Sequence, residues 1–218
     1  MIVAIDGPAG AGKSSAARAL ARRLGFRFLD TGAMYRAVAL AALRRGLDWK
    51  NSAALAELAR GLRMEVDERR VLLDGEDVTD AIRTSEVTAV THYAANNQAV
   101  REHLVSLQRQ AAGRDNVVTE GRDQGTVAFP DAECKIFLTA TPAERARRRL
   151  LDLEQRGETA SFEDVLAQQN LRDERDAARQ VGPLKPAADA IQVITDGLTP
   201  EEVVDRLEEL VRSVRSKP

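Results

Sequence analysis

Residues 7–14 read Gly-Pro-Ala-Gly-Ala-Gly-Lys-Ser, directly behind the short run Met1–Asp6, which is apolar up to its last residue. A buried strand that ends in a glycine-rich turn and opens onto a helix aims several backbone N–H groups at one point, where a polyphosphate can be held. Gly7, Gly10 and Gly12 let the main chain approach the ligand without a Cβ in the way. Lys13 adds a positive charge for the β- and γ-phosphates, and Ser14 supplies a hydroxyl of the kind that ligates Mg²⁺. The expected nucleotide-phosphate site is therefore Gly7, Pro8, Ala9, Gly10, Ala11, Gly12, Lys13, Ser14 and Ser15, with Ser14 at the metal.

A loop of this type serves switches, transporters, helicases and kinases alike, so the partner substrate must be read elsewhere. Eight arginines lie between 145 and 179: Arg145, Arg147, Arg148, Arg149, Arg156, Arg172, Arg175 and Arg179. Arg172, Arg175 and Arg179 fall at i, i+3 and i+7 and so share one helix face, with Asp176 one turn after Arg172. Such a face can close over a phosphoryl group in flight. Arg145, Arg147 and Arg156 read better as a solvated face laced with acidic partners. For Arg172 and Arg179 the functional reading is preferred, because of the phosphate loop with which they would converge.

Composition narrows the class further. The 218 residues are 44% hydrophobic and 30% charged, enough for one good core and one domain with excursions. With 32 basic against 34 acidic residues, no overall field recruits nucleic acid or an anionic membrane. Cys134 is the single cysteine, so an internal disulfide is excluded and a small core residue is the natural reading. No apolar run approaches the roughly 20 residues that span a bilayer, and no charged leader precedes the first strand. A cytoplasmic protein is expected, and a monomer, since no long apolar stripe advertises a partner.

These residues need a frame. Strand signals at Met1–Asp6, Arg27–Asp30, Asn116–Glu120, Lys135–Thr139 and Ala190–Ile194 alternate with helical periodicity over 14–24, 33–45, 52–60, 100–112, 142–155, 162–179 and 200–215. Strands alternating with helices predict an α/β fold, a doubly wound five-stranded parallel sheet of the P-loop type, with ligands at the strands' carboxyl ends. The phosphate loop, Asp30 and Glu120 all fall at that edge. Arg63–Asp67 and Val71–Val78 break the alternation and predict a small antiparallel sheet inserted between the second and third main strands. Gly182-Pro183-Leu184-Lys185-Pro186 reads as the return from a mobile segment to the core.

The phosphate loop, Leu29–Arg36, Ile82–Val87, Val100–Glu102, Glu120–Ala132 and Arg172–Asp176 together resemble the bacterial cytidylate (CMP) kinases, collinearly over nearly the whole chain. The resemblance implies a single kinase domain. Its core would be 1–30, 113–141 and 184–218, its monophosphate-binding region 31–112, and its helical lid 142–183. It also implies ATP and Mg²⁺ at the loop, CMP or dCMP as acceptor, and no nucleic-acid or membrane partner.

Carried onto this sequence, the family's base contacts fall on Arg101 and Asp123. A carboxylate accepts from the N4 amine of cytosine and a guanidinium donates to its acceptors, whereas uracil sets O4 against Asp123. The monophosphate clamp falls on Arg36, Arg122 and Arg179, the sugar contacts on Arg172 and Asp176, and Thr31 joins the acceptor-binding set. Lys13, Arg122 and Arg179 are the catalytic candidates. Two departures stand out: His92 where the family has a small hydroxyl residue near the base, and Glu120 where it often has Asp, which makes Glu120 an outer-sphere candidate at Mg²⁺. The rival readings are another small-molecule kinase on the same fold, of the shikimate or gluconate type, and a nucleotide-driven switch without phosphotransfer.

Overall fold

The computed structural model describes residues 1–67, 70–155 and 157–216. The main sheet has five strands, β1 (Ile2–Asp6), β2 (Arg27–Asp30), β6 (Val117–Gly121), β7 (Cys134–Thr139) and β8 (Ile191–Ile194), in the order β2-β6-β1-β7-β8. Parallel pairing joins β1 to β6 and β7, and β7 to β8. The doubly wound parallel sheet expected from the alternating pattern is therefore present. A second sheet is formed by β3 (Met64–Val66), β4 (Val71–Leu73) and β5 (Glu76–Asp77), antiparallel throughout. Asp74 and Gly75 take positive φ of 52° and 87°, the Asp-Gly signature of a tight hairpin turn, so the stretch 71–78 is two strands, not one.

The chain divides into two compact units, Met1–Phe26 with Val117–Pro218, and Arg27–Asn116. In the first, β1 and β6 are buried along nearly their whole length, as strands covered on both faces must be. Helix α1 (Lys13–Leu24) turns Ala16, Ala17, Leu20 and Ala21 inward; three alanines on one face let it lie close against β6 and α8 (Pro200–Arg215). It stops at Gly25, whose left-handed backbone returns its N–H to the carbonyls of Ala21 and Arg22. Helix α8 starts with Thr199 and Glu202 in a reciprocal capping box followed by Pro200. Helices α6 (Pro142–Gln155) and α7 (Phe162–Ala177) pack on each other around Ala146, Leu153 and Val165.

The second unit has its own core, centred on α2 (Thr31–Arg44), α3 (Ser52–Gly61), α4 (Ser85–Asn96) and α5 (Gln98–Ala112). Asp30 caps α2 by accepting the Ala33 N–H at 2.9 Å, and Asn97 caps α5 through Val100 while its amide donates to Ser52 at the start of α3. Helix α4 has no counterpart in the periodicity reading. Val87, Thr88, Val90 and Thr91 are β-branched and lower its intrinsic propensity. Capping by Thr84 and burial of Val87, Ala94 and Ala95 outweigh that local preference.

One glycine is dictated by contact. Gly7 follows β1 with φ of 150°, and a Cβ there would lie 1.9 Å from the Leu138 carbonyl oxygen. Gly7→Ala should therefore lower stability by about 2 kcal/mol or more, read as a shift of the urea midpoint; an unchanged midpoint would contradict this close approach.

Candidate active site

The phosphate loop lies between the end of β1 and α1, at the point where the neighbours of β1 switch from β6 to β7. Gly12 caps α1 in the left-handed conformation with φ of 83°, which leaves the first N–H groups of the helix facing outward over the loop. The Lys13 side chain is buried and its Nζ donates to the Pro8 carbonyl at 2.7 Å. Burial, with the Arg122 charge acting in the same direction, brings its ammonium down to about 7. Ser15 Oγ donates to Gly12 O at 2.9 Å, and Ser14 Oγ donates to Glu120 Oε1 at 2.7 Å. Ser14 and the buried Glu120 thus present adjacent hard oxygen donors, a pair that fits Mg²⁺ with most of its water shell retained.

Two of the arginines expected at the acceptor, Arg122 and Arg179, meet on one carboxylate. Asp176 is 4% exposed; Arg122 Nε donates to its Oδ2 at 2.8 Å and Arg179 Nη2 to its Oδ1. Burial opposes both charges. The Asp176 carboxyl nevertheless lies below its ordinary range because Arg122 and Arg179 outweigh that cost, and Arg122 lies above its own because of Asp176 and Glu120. Arg172 adds positive charge felt at both Lys13 and Asp176. Helix α7 ends at Ala177, so Arg179 reaches Asp176 from the segment beyond the helix and not along the face expected from its i+7 spacing. Arg175 is exposed.

Asp123 is buried directly after Arg122, ahead of a π-helical turn, Gln124–Ala128. Asp6, the last residue of β1, accepts the N–H groups of Gln124 and Gly125 at 2.8 Å each. Burial pushes the Asp6 carboxyl up to about 6 against those two N–H groups, with the Asp123 charge adding to the rise.

In the second unit Thr31 opens α2 and is 2% exposed. Arg36 lies one turn on, its Nη1 3.4 Å from where a Cβ on Gly32 would sit. Arg101 is 2% exposed on the inner face of α5; its Nη1 donates to Ala95 O at 3.3 Å and its guanidinium stands 5.7 Å from the Tyr35 ring centre. His92 Nδ1 bonds Ala89 O at 2.8 Å, and its ring lies against Tyr93, which stacks on Trp49. The candidate residues are thus collected in two groups, one in each unit.

Arg145 corrects the sequence reading. Expected as a solvated side chain, it is 4% exposed, and its guanidinium donates to Ala9 O of the phosphate loop at 2.9 Å, to Ala140 O at 3.0 Å and to Asp173 Oδ2 at 2.6 Å. Arg147, two positions away, is exposed and paired with Glu144, as expected. Arg156 lies outside the described residues. Arg148 donates to Thr195 and Glu144. Cys134 is buried and its thiol is pushed up to about 11 by burial, in keeping with a core residue.

With this geometry in view, comparison with known proteins is decisive. Residues 3–213 match the sequence family described as cytidylate kinase. The chain belongs to the cytidylate kinase family. A cytidylate kinase of Rhodopirellula baltica is 50% identical over 97% of this chain and 93% of its own length. Its counterpart in Desulfitobacterium hafniense is 51% identical over 94% and 90%. A bifunctional pantoate ligase/cytidylate kinase of Synechococcus elongatus is 48% identical over 97% of this chain and 42% of its own length. A shikimate kinase structure from Bacteroides thetaiotaomicron, 16% identical with a TM-score of 0.51 over 97% of this chain and 98% of its own, shares the fold. Among the described residues, no helix is long and apolar enough to cross a membrane.

Two features that sequence reasoning missed, Arg145 and Asp6, generate predictions. Arg145→Ala strips the half-buried Asp173 carboxylate and two carbonyls of their donor, so stability should fall by about 2 kcal/mol, with a raised KM for the nucleotide; a variant of native melting temperature would refute the tether. For Asp6, the folded chain binds the carboxyl proton more tightly than the unfolded chain does, so stability should fall as pH rises from about 4 to about 6. Relative to Asp6→Asn, that fall should be on the order of 3 kcal/mol in denaturation measured across the window. A pH-independent difference would show that Asp6 titrates normally.

Proposed function

We propose that this protein transfers the γ-phosphoryl group of ATP to CMP or dCMP, giving ADP and CDP or dCDP, as a step of pyrimidine nucleotide metabolism in the cytoplasm. The observation that carries the proposal is the assembly, within one unit, of a phosphate loop, the Arg122–Asp176–Arg179 cluster and the buried Asp123. Its sequence context is a chain about 50% identical over 97% of its length to a named cytidylate kinase.

The chemistry follows from what the residues offer. The acceptor phosphate is already ionised near neutral pH and needs no general base, so the protein's work is positioning and charge neutralisation. Loop amides from Gly7 to Ser15 hold the β- and γ-phosphates, and Lys13 exchanges the Pro8 carbonyl for phosphate oxygens. Ser14, with Glu120 in the outer sphere, would hold Mg²⁺, which would supply positive charge beside the phosphates of ATP. A phosphate oxygen of CMP forms its bond to Pγ as the bond to the β–γ bridging oxygen breaks, and ADP leaves.

Arg36, Arg122 and Arg179 grip the acceptor phosphate and neutralise charge spreading over the transferred group. As phosphate replaces the carboxylate beside Arg122 and Arg179, Asp176 turns with Arg172 to the sugar hydroxyls. Asp123 accepts from the cytosine N4 amine and Arg101 donates to the ring acceptors, with Thr31 completing the pocket. Uracil would set O4 against the Asp123 carboxylate and leave buried groups unpaired, a larger loss than contact area alone suggests. Residues 31–112 act as the monophosphate-binding region and 142–183 as the lid that excludes water. The protein works as a monomer, without nucleic acid or membrane.

The deciding experiment is a coupled ADP-release assay across CMP, dCMP, UMP, AMP, shikimate and gluconate. CMP and dCMP should be the preferred acceptors, and Lys13→Ala should lower kcat/KM by roughly a hundredfold or more. Preference for a non-nucleotide would replace this reading with that of another small-molecule kinase, and nucleotide binding without a diphosphate product would replace it with a switch.

A further inference from the structure

The turn that follows Arg122 and Asp123 is fastened from outside itself. The first N–H groups of any helical turn lack partners within it, and Asp123, the residue in position to cap Gln124–Ala128, gives no side-chain cap. Asp6 does so from β1, 118 residues away in sequence, by accepting Gln124 N–H on one oxygen and Gly125 N–H on the other, both at 2.8 Å. Thr119 Oγ1 of β6 donates to Gln124 Oε1 at 2.8 Å and fixes the same turn from the other side. The Asp123 carbonyl in turn accepts from Val127 at 2.8 Å and Ala128 at 3.1 Å. The main chain that carries the Asp123 carboxylate is therefore held, at the two residues that follow it, by the carboxylate of Asp6, the residue just before the phosphate loop.

The cost of this arrangement is visible. Asp6 is 4% exposed at the end of an apolar strand, with Asp123 and Lys13 as the charged groups that act on it. Two N–H donors that diverge toward one side chain require two acceptor oxygens on that side chain, and a carboxylate is the group that supplies them without also presenting a donor. An amide of the same shape has one acceptor. In either orientation it sets an NH₂ group against a backbone N–H.

We propose that Asp6 is a positioning residue for base selection: by anchoring Gln124 and Gly125 it aims the Asp123 carboxylate, so that discrimination between amino and keto pyrimidine monophosphates depends on a side chain that touches neither base. This rests on the CMP reading given under Proposed function. A structural role alone would weaken the fold and slow both acceptors together; a positioning role moves their ratio.

The test measures kcat/KM for CMP and UMP, and KM for ATP, in the wild type, Asp6→Asn, Asp123→Asn and the double variant. Asp6→Asn should lower the CMP-to-UMP ratio by roughly tenfold, the equivalent of one misplaced buried hydrogen bond, while KM for ATP changes less than about threefold. In the Asp123→Asn background, Asp6→Asn should change the ratio no further, because two residues acting through one contact are not additive. Gly125→Ala provides a second route, since its methyl would meet Lys135 carbons at 3.2 and 3.3 Å and the Asp6 carboxylate at 3.5 Å. It should lower the ratio in the same direction even if Asp6→Asn fails to fold. A folded Asp6→Asn or Gly125→Ala with the wild-type ratio, or additive losses in the double variant, would overturn the inference and leave the function standing. Equal wild-type turnover of CMP and UMP would overturn the base assignment and this inference with it.

Discussion

Buried charge must be paired, and at the carboxyl ends of β1 and β6 that requirement governs everything else. Asp6, Lys13, Glu120, Asp123, Arg145 and Asp176 are each about 5% exposed or less, in a setting where an unpaired ion costs several kcal/mol. Lys13, Arg122, Arg179 and Arg145 are each held there by a local partner. Lys13 rests on the Pro8 carbonyl, Arg122 and Arg179 share Asp176, and Arg145 closes on Ala9, Ala140 and Asp173. An anion arriving at such a site meets donors that already stand oriented and exchanges the contacts they hold for its own.

The same requirement links α6 and α7 to the phosphate loop. Arg145 on α6 bonds the main chain of the phosphate loop and the Asp173 carboxylate on α7 at once, and Gly10 leaves room for this, since a Cβ there would meet Gln169 and Arg145 atoms between 3.0 and 3.2 Å. Asp176 lies three residues beyond Asp173, on the turn that gathers Arg122 and Arg179. One guanidinium thus joins α7 to the loop, and its rigid fork suits it to hold a carboxylate and a carbonyl together.

The turn after Asp123 is fixed in a similar way, by main chain held from a distance. The residue proposed to read the base, Asp123, has its position set by a turn capped from β1 and pinned from β6. Glycine at 121 is part of the fit, because a Cβ there would lie 2.8 Å from the Gln124 side chain. The short strand ends around the loop therefore act less as separate ligands than as one hydrogen-bonded edge.

Much of this was legible in the order of residues. The strand–glycine loop–helix at the start, the alternation of strands and helices, the inserted antiparallel segment and the arginine motifs are local patterns, and local patterns express backbone preference and periodicity directly. Helix α4 was not legible, because its β-branched residues argue against a helix until Thr84 caps it and α2 covers it. Nor were the opposite fates of Arg145 and Arg147, which share a helix and differ only in the side they face. The pairing of Asp6 with Gln124 and Gly125, across more than a hundred residues, leaves no trace in spacing. The sequence by itself determined which groups were available and which short segments would carry them. Tertiary structure alone decided which charges became buried and what each had to hold, because desolvation is set by neighbours that only the folded chain brings together.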